Sequence, residues 1–344
     1  MKDDLGIDRE SLAARIGTEY GLWVGRIEFL PKGEVGYCYL IDSDIGLRYL
    51  VKVLPSTRMG LKSAKALDFC LPLMWNLFHG NYFRSLPCPV RTQAGSLKSD
   101  FGGMPVVVYN FIEGRTINDE RPSDEVLATV ARQIARIHNC APYIGTENPP
   151  IDDLGIPFKG EMLTGLETLE RTTQGDGEGK LALRDLILPL KEELLGRLGR
   201  LETLQLSVRG IKKQTVLCHT DPIGSNILID ARGEVYVLDW EGAILAPPEH
   251  DIFAFTGDRF DLFLDNYEDE FGRVCLKTDF LGFYLYRRIL EDLVDWMIRI
   301  LHENRDEGQN RRDLEGIIRD CISDLPHLEP LIERTDQVLR RREG

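Results

Sequence analysis

The sequence is short of positive charge and has no long apolar run. Its 344 residues include 42 Lys and Arg against 56 Asp and Glu, which gives a formal net charge of −14. An acidic chain of this kind is not expected to bind nucleic acid or an anionic membrane. No stretch approaches the ~20 apolar residues that span a bilayer, and residues 1–10 lack the apolar core of a signal peptide. We therefore expect a cytoplasmic protein.

Paired cysteines are also missing. The seven cysteines are odd in number and widely spaced, with no CxxC pair among them. This pattern favours reduced, mostly buried thiols over a disulfide framework. The chain also lacks internal repeats and long low-complexity segments. Because its length exceeds what one hydrophobic core usually serves, two subdomains are expected.

The first third of the chain is rich in β-forming residues. We predict strands in LWVGRIEFL, GYCYLID and LRYLVKVL, separated by turn signals. A helix over residues 59–79 should follow, broken or kinked near Pro72. Two more strands are predicted in CPVRTQ and MPVVVYNFIEG. This part of the sequence therefore predicts an antiparallel sheet with one helix.

Helical patterns dominate beyond residue 122. The stretch SDEVLATVARQIARIHNC opens with a helix cap and carries apolar residues at helical spacing. A further helix is predicted at about 180–206, and residues 279–342 are predicted to be mainly helical. The predicted class is α+β, with a small lobe of residues 1–109 followed by a larger, mostly helical lobe of residues 110–344.

The most specific stretch is VLCHTDPIGSNILIDARGEVYVLDWEGAILAPPEHD, residues 216–251. It places Asp221, Asn226 and Asp239 near the ends of predicted strands. Asn226 and Asp239 offer the hard oxygen ligands that Mg²⁺ prefers, and Asp221 can orient a substrate hydroxyl and accept its proton. Each residue alone has a structural explanation, because Asp-Pro is a common turn signal and Asn often caps turns. Together, at this spacing, they predict phosphoryl transfer from a magnesium–nucleotide.

This stretch resembles the catalytic core of the aminoglycoside phosphotransferases, which are relatives of choline kinase and distant relatives of protein kinases. The resemblance implies a bilobal protein-kinase-like fold, with the nucleotide bound by the N-terminal lobe and the acceptor by the C-terminal lobe. It also implies that Asp221 is the catalytic base, that Asn226 and Asp239 hold Mg²⁺, and that ATP or GTP is the donor. Protein kinases proper are disfavoured, because the chain has DWE where they carry DFG, and no HRD or APE.

A kinase of this type needs a strand lysine for the α and β phosphates and an acid that positions it. Lys52 lies in the apolar stretch YLVKVL, where a charged side chain is costly unless it is paired or bound to a ligand. No Glu occurs between Glu34 and Glu113, so the glutamate usual in the following helix is absent. Asp68 is the only acid in that predicted helix and is therefore the expected partner of Lys52.

Two loops are predicted to supply the remaining nucleotide contacts. Gly33 and Gly36 lie in the turn PKGEVG, 19 and 16 residues before Lys52. Glycines let a backbone approach phosphates, although they are also common in hairpins without that role. In VVVYNFIEG, the resemblance implies that the Asn110 carbonyl and the Ile112 amide bind the adenine edge.

The acceptor is expected to be a cationic small molecule. Residues 241–279 hold ten Asp or Glu against three Lys or Arg. Carboxylates there would attract the ammonium groups of an aminoglycoside or aminocyclitol antibiotic, and Glu241, Asp258 and Asp261 are the candidates. The plainer explanation of this acidic segment is solubility.

Other acceptors and another class of protein stay open on the sequence alone. Choline, a homoserine-like compound, a macrolide or a sugar would suit the same metal site, because that site does not contact the variable part of an acceptor. A nucleotide-binding pseudokinase is the alternative outside the enzymes, but the presence of Lys52, Asp221, Asn226 and Asp239 argues against it. The oligomeric state is not determined by the sequence.

Overall fold

The computed structural model describes residues 6–31, 33, 35–117, 121–146, 148–304 and 306–343. The chain divides into two compact units. The first unit comprises Met1–Ile151, Val216–Leu245 and Asp265–Gly272, and the second comprises Asp152–Thr215, Ala246–Leu264 and Arg273–Gly344. The lobe boundary expected between residues 109 and 110 stays a prediction. Lys32 and Glu34 of the first predicted turn lie outside the described residues.

The described residues form ten strands in three sheets. A five-stranded antiparallel sheet has the order β1-β2-β3-β5-β4, a three-stranded sheet has the order β6-β8-β9, and β7 pairs with β10. The strands are β1 Val24–Leu30, β2 Tyr37–Ser43, β3 Arg48–Val53, β4 Ser99–Phe101, β5 Met104–Asn110, β6 Arg115–Thr116, β7 Val216–Cys218, β8 Ile227–Ile229, β9 Val235–Val237 and β10 Ile244–Ala246.

The α-helices of the described chain number eleven. They are α1 Arg9–Tyr20, α2 Arg58–His79, α3 Asp124–Asn139, α4 Lys159–Arg171, α5 Glu178–Ile187, α6 Lys191–Val208, α7 Glu249–Ile252, α8 Phe260–Phe271, α9 Thr278–Ile298, α10 Glu307–Gly316 and α11 Leu328–Glu343. None of the helices in the described residues is long and apolar enough to cross a membrane.

The five-stranded sheet is held by an alternating pattern of apolar residues. In β2 the side chains of Tyr37, Tyr39 and Ile41 are buried while those between them are partly exposed, as expected for a strand with one face on a core. That face packs in one cluster with Leu12 and Ile16 of α1. Burying each of these side chains contributes about 1.5–3 kcal/mol, so α1 is fixed to one face of the sheet.

Two details of this region differ from the sequence-based expectation. The stretch CPVRTQ does not form a strand and makes only an isolated bridge between Pro89 and Tyr109, while the edge strand is β4. Helix α2 continues unbroken through Pro72. A proline inside a helix costs about 3 kcal/mol. Burial of Leu71 and Leu73 on either side of it offsets that cost, at about 1.5–3 kcal/mol each.

The second unit is built around α9. This helix is buried along most of its length, and α4, α6, α7 and α11 pack against it. The helix expected over 180–206 is two helices, α5 and α6, because Pro189 lies in the short 3₁₀ segment Leu188–Leu190 between them. Residues 279–342 are mainly helical, as expected.

Candidate functional site

A buried strand and a histidine fix the loop that carries Asp221. Strand β7 is buried along its length, and His219 directly after it is also fully buried. The His219 ring packs edge-on against Trp240, with centroids 5.2 Å apart, and its Nδ1 accepts a hydrogen bond of 3.3 Å from the Asp221 amide. Thr220 between them has a φ of 77°, an uncommon conformation for a β-branched residue. The loop therefore presents a half-buried Asp221 in a defined position.

Asn226 is oriented by Asp221. Its Nδ2 donates to the Asp221 backbone carbonyl at 3.0 Å and to Asp221 Oδ2 at 2.8 Å. Because both partners are acceptors, the atom facing them must be the amide nitrogen. The side-chain oxygen of Asn226 is thereby turned away from Asp221. These two hydrogen bonds thus hold the candidate base and leave the Asn226 side-chain oxygen, a ligand of the type that Mg²⁺ prefers.

The hairpin β8–β9 brings Asp239 to Asn226. The two strands pair from Ile227 opposite Val237, and the Leu238 amide donates to the Asn226 carbonyl at 2.8 Å. Asp239 follows with a φ of 65°. A non-glycine residue in this region costs of order 1–3 kcal/mol, a cost commonly found at functional sites. Asn226 and Asp239 thus lie at the two adjoining ends of one hairpin, as their spacing predicts.

Lys52 reaches the same place from the five-stranded sheet. It lies in β3, opposite Cys38 of β2 and Val107 of β5. Its Nζ donates to Asp239 Oδ1 and, at 2.7 Å, to Glu241 Oε1. The Lys52 and Glu241 side chains are 12% and 10% exposed, whereas that of Asp239 is 43% exposed. The three ionisable groups form one cluster at the edge of the first unit's interior.

The cluster shifts the pKa of each of its members. Burial by itself acts to lower the pKa of Lys52, but the neighbouring Asp239 and Glu241 carboxylates outweigh it and raise this pKa well above its ordinary value. Burial acts to raise the pKa of Asp239, but the charge of Lys52 together with hydrogen bonds from Glu241 and Lys52 outweighs it and holds this pKa well below the usual range. Burial and then the charge of Asp239 raise the pKa of Glu241. Lys52 and Asp239 are therefore both charged at neutral pH.

The glycines of the first turn lie differently with respect to Lys52. A Cβ added to Gly36 would come within 3.1 Å of Lys52 Cγ, so the backbone at Gly36 approaches the lysine stem closely. Gly33 has a φ of 83°, a conformation that favours glycine. Gly36 itself therefore lies beside Lys52, the lysine predicted to bind the phosphates.

Some polar groups at the end of β5 make hydrogen bonds within the chain. The Asn110 amide donates to the Cys88 carbonyl at 3.0 Å, and Asn110 Oδ1 accepts from the Cys88 amide. Neither contact involves the Asn110 carbonyl, the group predicted to bind adenine. Ile112 follows in the half-buried, irregular segment after the strand.

The predicted pair of Lys52 with Asp68 is not formed. The Asp68 side chain is 76% exposed and contacts Lys98, with Nζ 2.5 Å from Oδ1. On α2 it is Cys70, only 1% exposed, that lies on the buried face, and α2 packs against the turn Trp240–Gly242. Burial, and then the charge of Glu241, raise the pKa of the Cys70 thiol. Two residues of helix correspond to a rotation of about 200°, so Asp68 and Cys70 lie on opposite faces of α2.

The candidate acceptor carboxylates are divided between the two units. Glu241 belongs to the first unit and contacts Lys52. Asp258 and Asp261 belong to the second unit, where both are exposed. Asp261 pairs with Arg341 at 3.3 Å and with Arg342 at 3.7 Å. The sequence did contain a signal for the position of Glu241, because this acid follows Asp239 by two residues in a chain whose α2 has no glutamate.

The sequence of the chain is similar to that of a known enzyme family. A sequence profile of the phosphotransferase enzyme family matches residues 39–280. Protein StrN of Streptomyces griseus is 24% identical over 241 residues, which are 67% of this chain and 70% of StrN.

Solved structures resemble nearly the whole chain. Spectinomycin phosphotransferase APH(9)-Ia in complex with ADP and spectinomycin superposes with a TM-score of 0.75 at 16% identity, covering 92% of this chain and 96% of its own. The microcompartment-associated aminopropanol kinase superposes with a TM-score of 0.61 at 14% identity, covering 91% and 95%. These similarities confirm the predicted fold class, a kinase-like α+β fold with an N-terminal antiparallel sheet and a larger, mostly helical C-terminal region.

Proposed function

The chain belongs to the phosphotransferase enzyme family, and from this premise we propose that it moves the γ-phosphate of magnesium-bound ATP or GTP to a hydroxyl group of an aminoglycoside or aminocyclitol antibiotic. The observation that carries the proposal is a continuous path of contacts within one unit. Lys52 contacts Asp239, the residue before Asp239 bonds to Asn226, and Asn226 bonds to Asp221. Phosphoryl transfer needs these parts, a phosphate cation, metal-type oxygens and a base, close together.

Each residue has a separate task in this proposal. Lys52 neutralises charge on the α and β phosphates, while Asn226 and Asp239 are an all-oxygen pair that fits Mg²⁺. When bound, Mg²⁺ would supply charge neutralisation at the β and γ phosphates. Asp221, held through Asn226, orients the acceptor hydroxyl and takes its proton.

The nucleotide contacts complete the donor site. The backbone at Gly33 and Gly36 would lie over the phosphates, since Gly36 already lies against Lys52. The Asn110 carbonyl and the Ile112 amide would bind the adenine edge through backbone atoms. We propose that Asn110 keeps its carbonyl available for this, because its amide and side-chain oxygen bond to Cys88.

Support for an antibiotic acceptor comes from two sides. One similar structure is of an enzyme in complex with spectinomycin, and residues 241–279 of this chain are strongly acidic. Asp258 and Asp261 are the carboxylates that we propose for ammonium groups of the acceptor. Asp261 would then exchange its contacts with Arg341 and Arg342 for the ligand.

A kinase of another small alcohol is the second candidate. Two of the three predicted acceptor carboxylates, Glu241 and Asp261, contact cations of the chain itself, so fewer remain for a polycationic drug. The similarity to an aminopropanol kinase is consistent with a smaller acceptor carrying a single charge. Choline, homoserine-like compounds, macrolides and sugars belong to the same group of candidates.

The experiment is a measurement of nucleoside diphosphate release with Mg·ATP and Mg·GTP against an acceptor panel. The panel holds spectinomycin, hygromycin, kanamycin, a macrolide, choline and homoserine. Asp221→Asn is the blank, because it keeps shape and removes the base. Asp185→Asn, at an exposed carboxylate in α5 that pairs with its neighbour Arg184, controls for the loss of one negative charge.

Release stimulated by one antibiotic, kept in Asp185→Asn and reduced about 100-fold or more in Asp221→Asn, would support both the reaction and the acceptor class. Stimulation by choline or homoserine alone would support the second candidate. Nucleotide binding without transfer to any acceptor would instead favour the pseudokinase. Full turnover in Asp221→Asn would overturn the role given to Asp221.

A further inference from the structure

Helix α2 offers no acid to Lys52. The helix contains no glutamate, and its only acid, Asp68, contacts Lys98 on the exposed face. The buried face of α2, which carries Cys70, packs against the turn Trp240–Gly242 that contains Glu241. A neutral thiol at this place cannot form an ion pair with Lys52. In this chain the positioning acid must therefore come from another element.

Glu241 is held in position from both sides. Trp240 before it is 1% exposed and donates from its ring nitrogen to the Val237 carbonyl at 2.9 Å. Gly242 after it accepts a hydrogen bond of 3.1 Å from Thr220, and a Cβ at Gly242 would lie only 2.2 Å from that hydroxyl. The 3₁₀ turn Trp240–Gly242 is thus fixed to the loop that carries Asp221. A carboxylate on this turn has little freedom to move away from Lys52.

The ammonium group of Lys52 has three donors. One points to Asp239 and one to Glu241, at 2.7 Å, which leaves a third for a phosphate oxygen. Asp239 has a second task in the proposed function, because it is one of the two metal-type ligands. Glu241 is the more buried of the two carboxylates, with its side chain 10% exposed against 43% for Asp239, and it has no such second task.

We propose that Glu241 is the positioning residue for Lys52. From its place in the turn after Asp239, it has the role that a glutamate of the helix has in related folds. This inference rests on the proposed function, and it removes Glu241 from the acceptor site. The side chain acts through Lys52 and contacts neither donor nor acceptor. Its loss should therefore affect nucleotide binding only while Lys52 is present.

A double-mutant cycle on nucleotide binding tests this directly. The dissociation constant of a fluorescent ADP would be measured for the wild type, Glu241→Gln, Lys52→Met and the double variant. Loss of a charge-assisted hydrogen bond predicts about 10- to 100-fold weaker binding in Glu241→Gln. In the Lys52→Met background the same change should cost less than about 3-fold. Glu167→Gln, at an exposed glutamate of α4 that pairs with Arg171, is the matched control and should bind normally.

Two further measurements, one without magnesium and one with the acceptor, distinguish a positioning role of Glu241 from a metal-ligand role and from an acceptor-binding role. Each titration is repeated in EDTA, where a positioning role predicts the same fold-loss and a metal-ligand role predicts none. In steady-state assays a positioning role raises the KM for nucleotide or lowers kcat, whereas an acceptor role raises only the KM for the acceptor. Glu241→Asp should recover part of the affinity that Glu241→Gln loses.

The second part of the test moves the carboxylate from position 241 to α2. Cys70→Glu in the Glu241→Gln background places a carboxylate on the face of α2 that lies near Lys52, and at least 5-fold recovery of ADP affinity is expected. If that variant does not fold, as judged by circular dichroism, the cycle alone decides. Equal losses from Glu241→Gln with and without Lys52 overturn the inference. A wild type that does not bind nucleotide at all overturns the proposed function instead, so the two failures are distinguishable.

Discussion

The buried histidine of the second unit makes the protein sensitive to acid in a specific pH range. His250 is 7% exposed and packs edge-on against Tyr284, with centroids 4.3 Å apart. Its Nε2 contacts the guanidinium of Arg287, which also binds Asp152 with Nη1 3.0 Å from Oδ1. Burial, and then the charge of Arg287, lower the pKa of His250 from 6.5 to about 4. The folded protein therefore holds this imidazole neutral at pH values where the unfolded chain protonates it.

The sign and the size of the effect follow from this shift. Above pH 6.5 neither state binds the proton, and the contribution of His250 to stability is fully present. As the pH falls from 6.5 to 4, only the unfolded state gains the proton, so the free energy of unfolding decreases by about 1.4 kcal/mol per pH unit. Over the whole range the loss amounts to about 3 kcal/mol. Below pH 4 both states bind the proton, and His250 no longer changes the free energy of unfolding with pH.

Urea unfolding followed by circular dichroism between pH 7.5 and pH 4.5 measures this loss. His250→Gln stays neutral and keeps an oxygen acceptor for Arg287, so its stability should fall less steeply over this range than that of the wild type. His327→Gln, at an exposed histidine of the 3₁₀ segment Leu325–His327, is the matched control. A stability difference between wild type and His250→Gln that stays constant within about 0.5 kcal/mol over this range would refute the reasoning.

The remaining predictions concern packing and the site. Gly316→Ala would place a Cβ 2.2 Å from the Trp296 ring and should lower the free energy of unfolding by about 1–3 kcal/mol; a neutral result in urea titration would contradict it. Gly196→Ala, inside α6 with nothing within 4 Å, should gain about 0.5–1 kcal/mol in the same assay. Lys52→Met should lower kcat/KM for nucleotide about 10-fold or more in steady-state assays, and unchanged kinetics would exclude a phosphate role. Asn226→Ala should raise the magnesium concentration needed for half-maximal rate about 10-fold or more, with Asn226→Asp less affected.

The parts of the site that depend on local spacing could be predicted from the sequence. Asp221 and Asn226 are five residues apart, and a short hairpin then returns the chain to Asp239, so strand pairing alone brings the three together. Lys52 could be singled out because a charged residue in an apolar strand needs a partner or a ligand. The antiparallel sheet and the helical C-terminal region followed from residue patterns of the same local kind.

The groups that meet across long separations in the chain depend on the packing of whole elements. The tertiary structure pairs Lys52 with Glu241, 189 residues away, because the rotation of α2 turns Asp68 outward and Cys70 inward. It kept α2 whole through Pro72, since the apolar residues beside the proline are buried. It also joined Asp152 to Arg287, 135 residues apart, around a histidine with no motif of its own. Local spacing fixes which residues can share a strand end or a turn, whereas the partners of a buried charge depend on how whole elements pack.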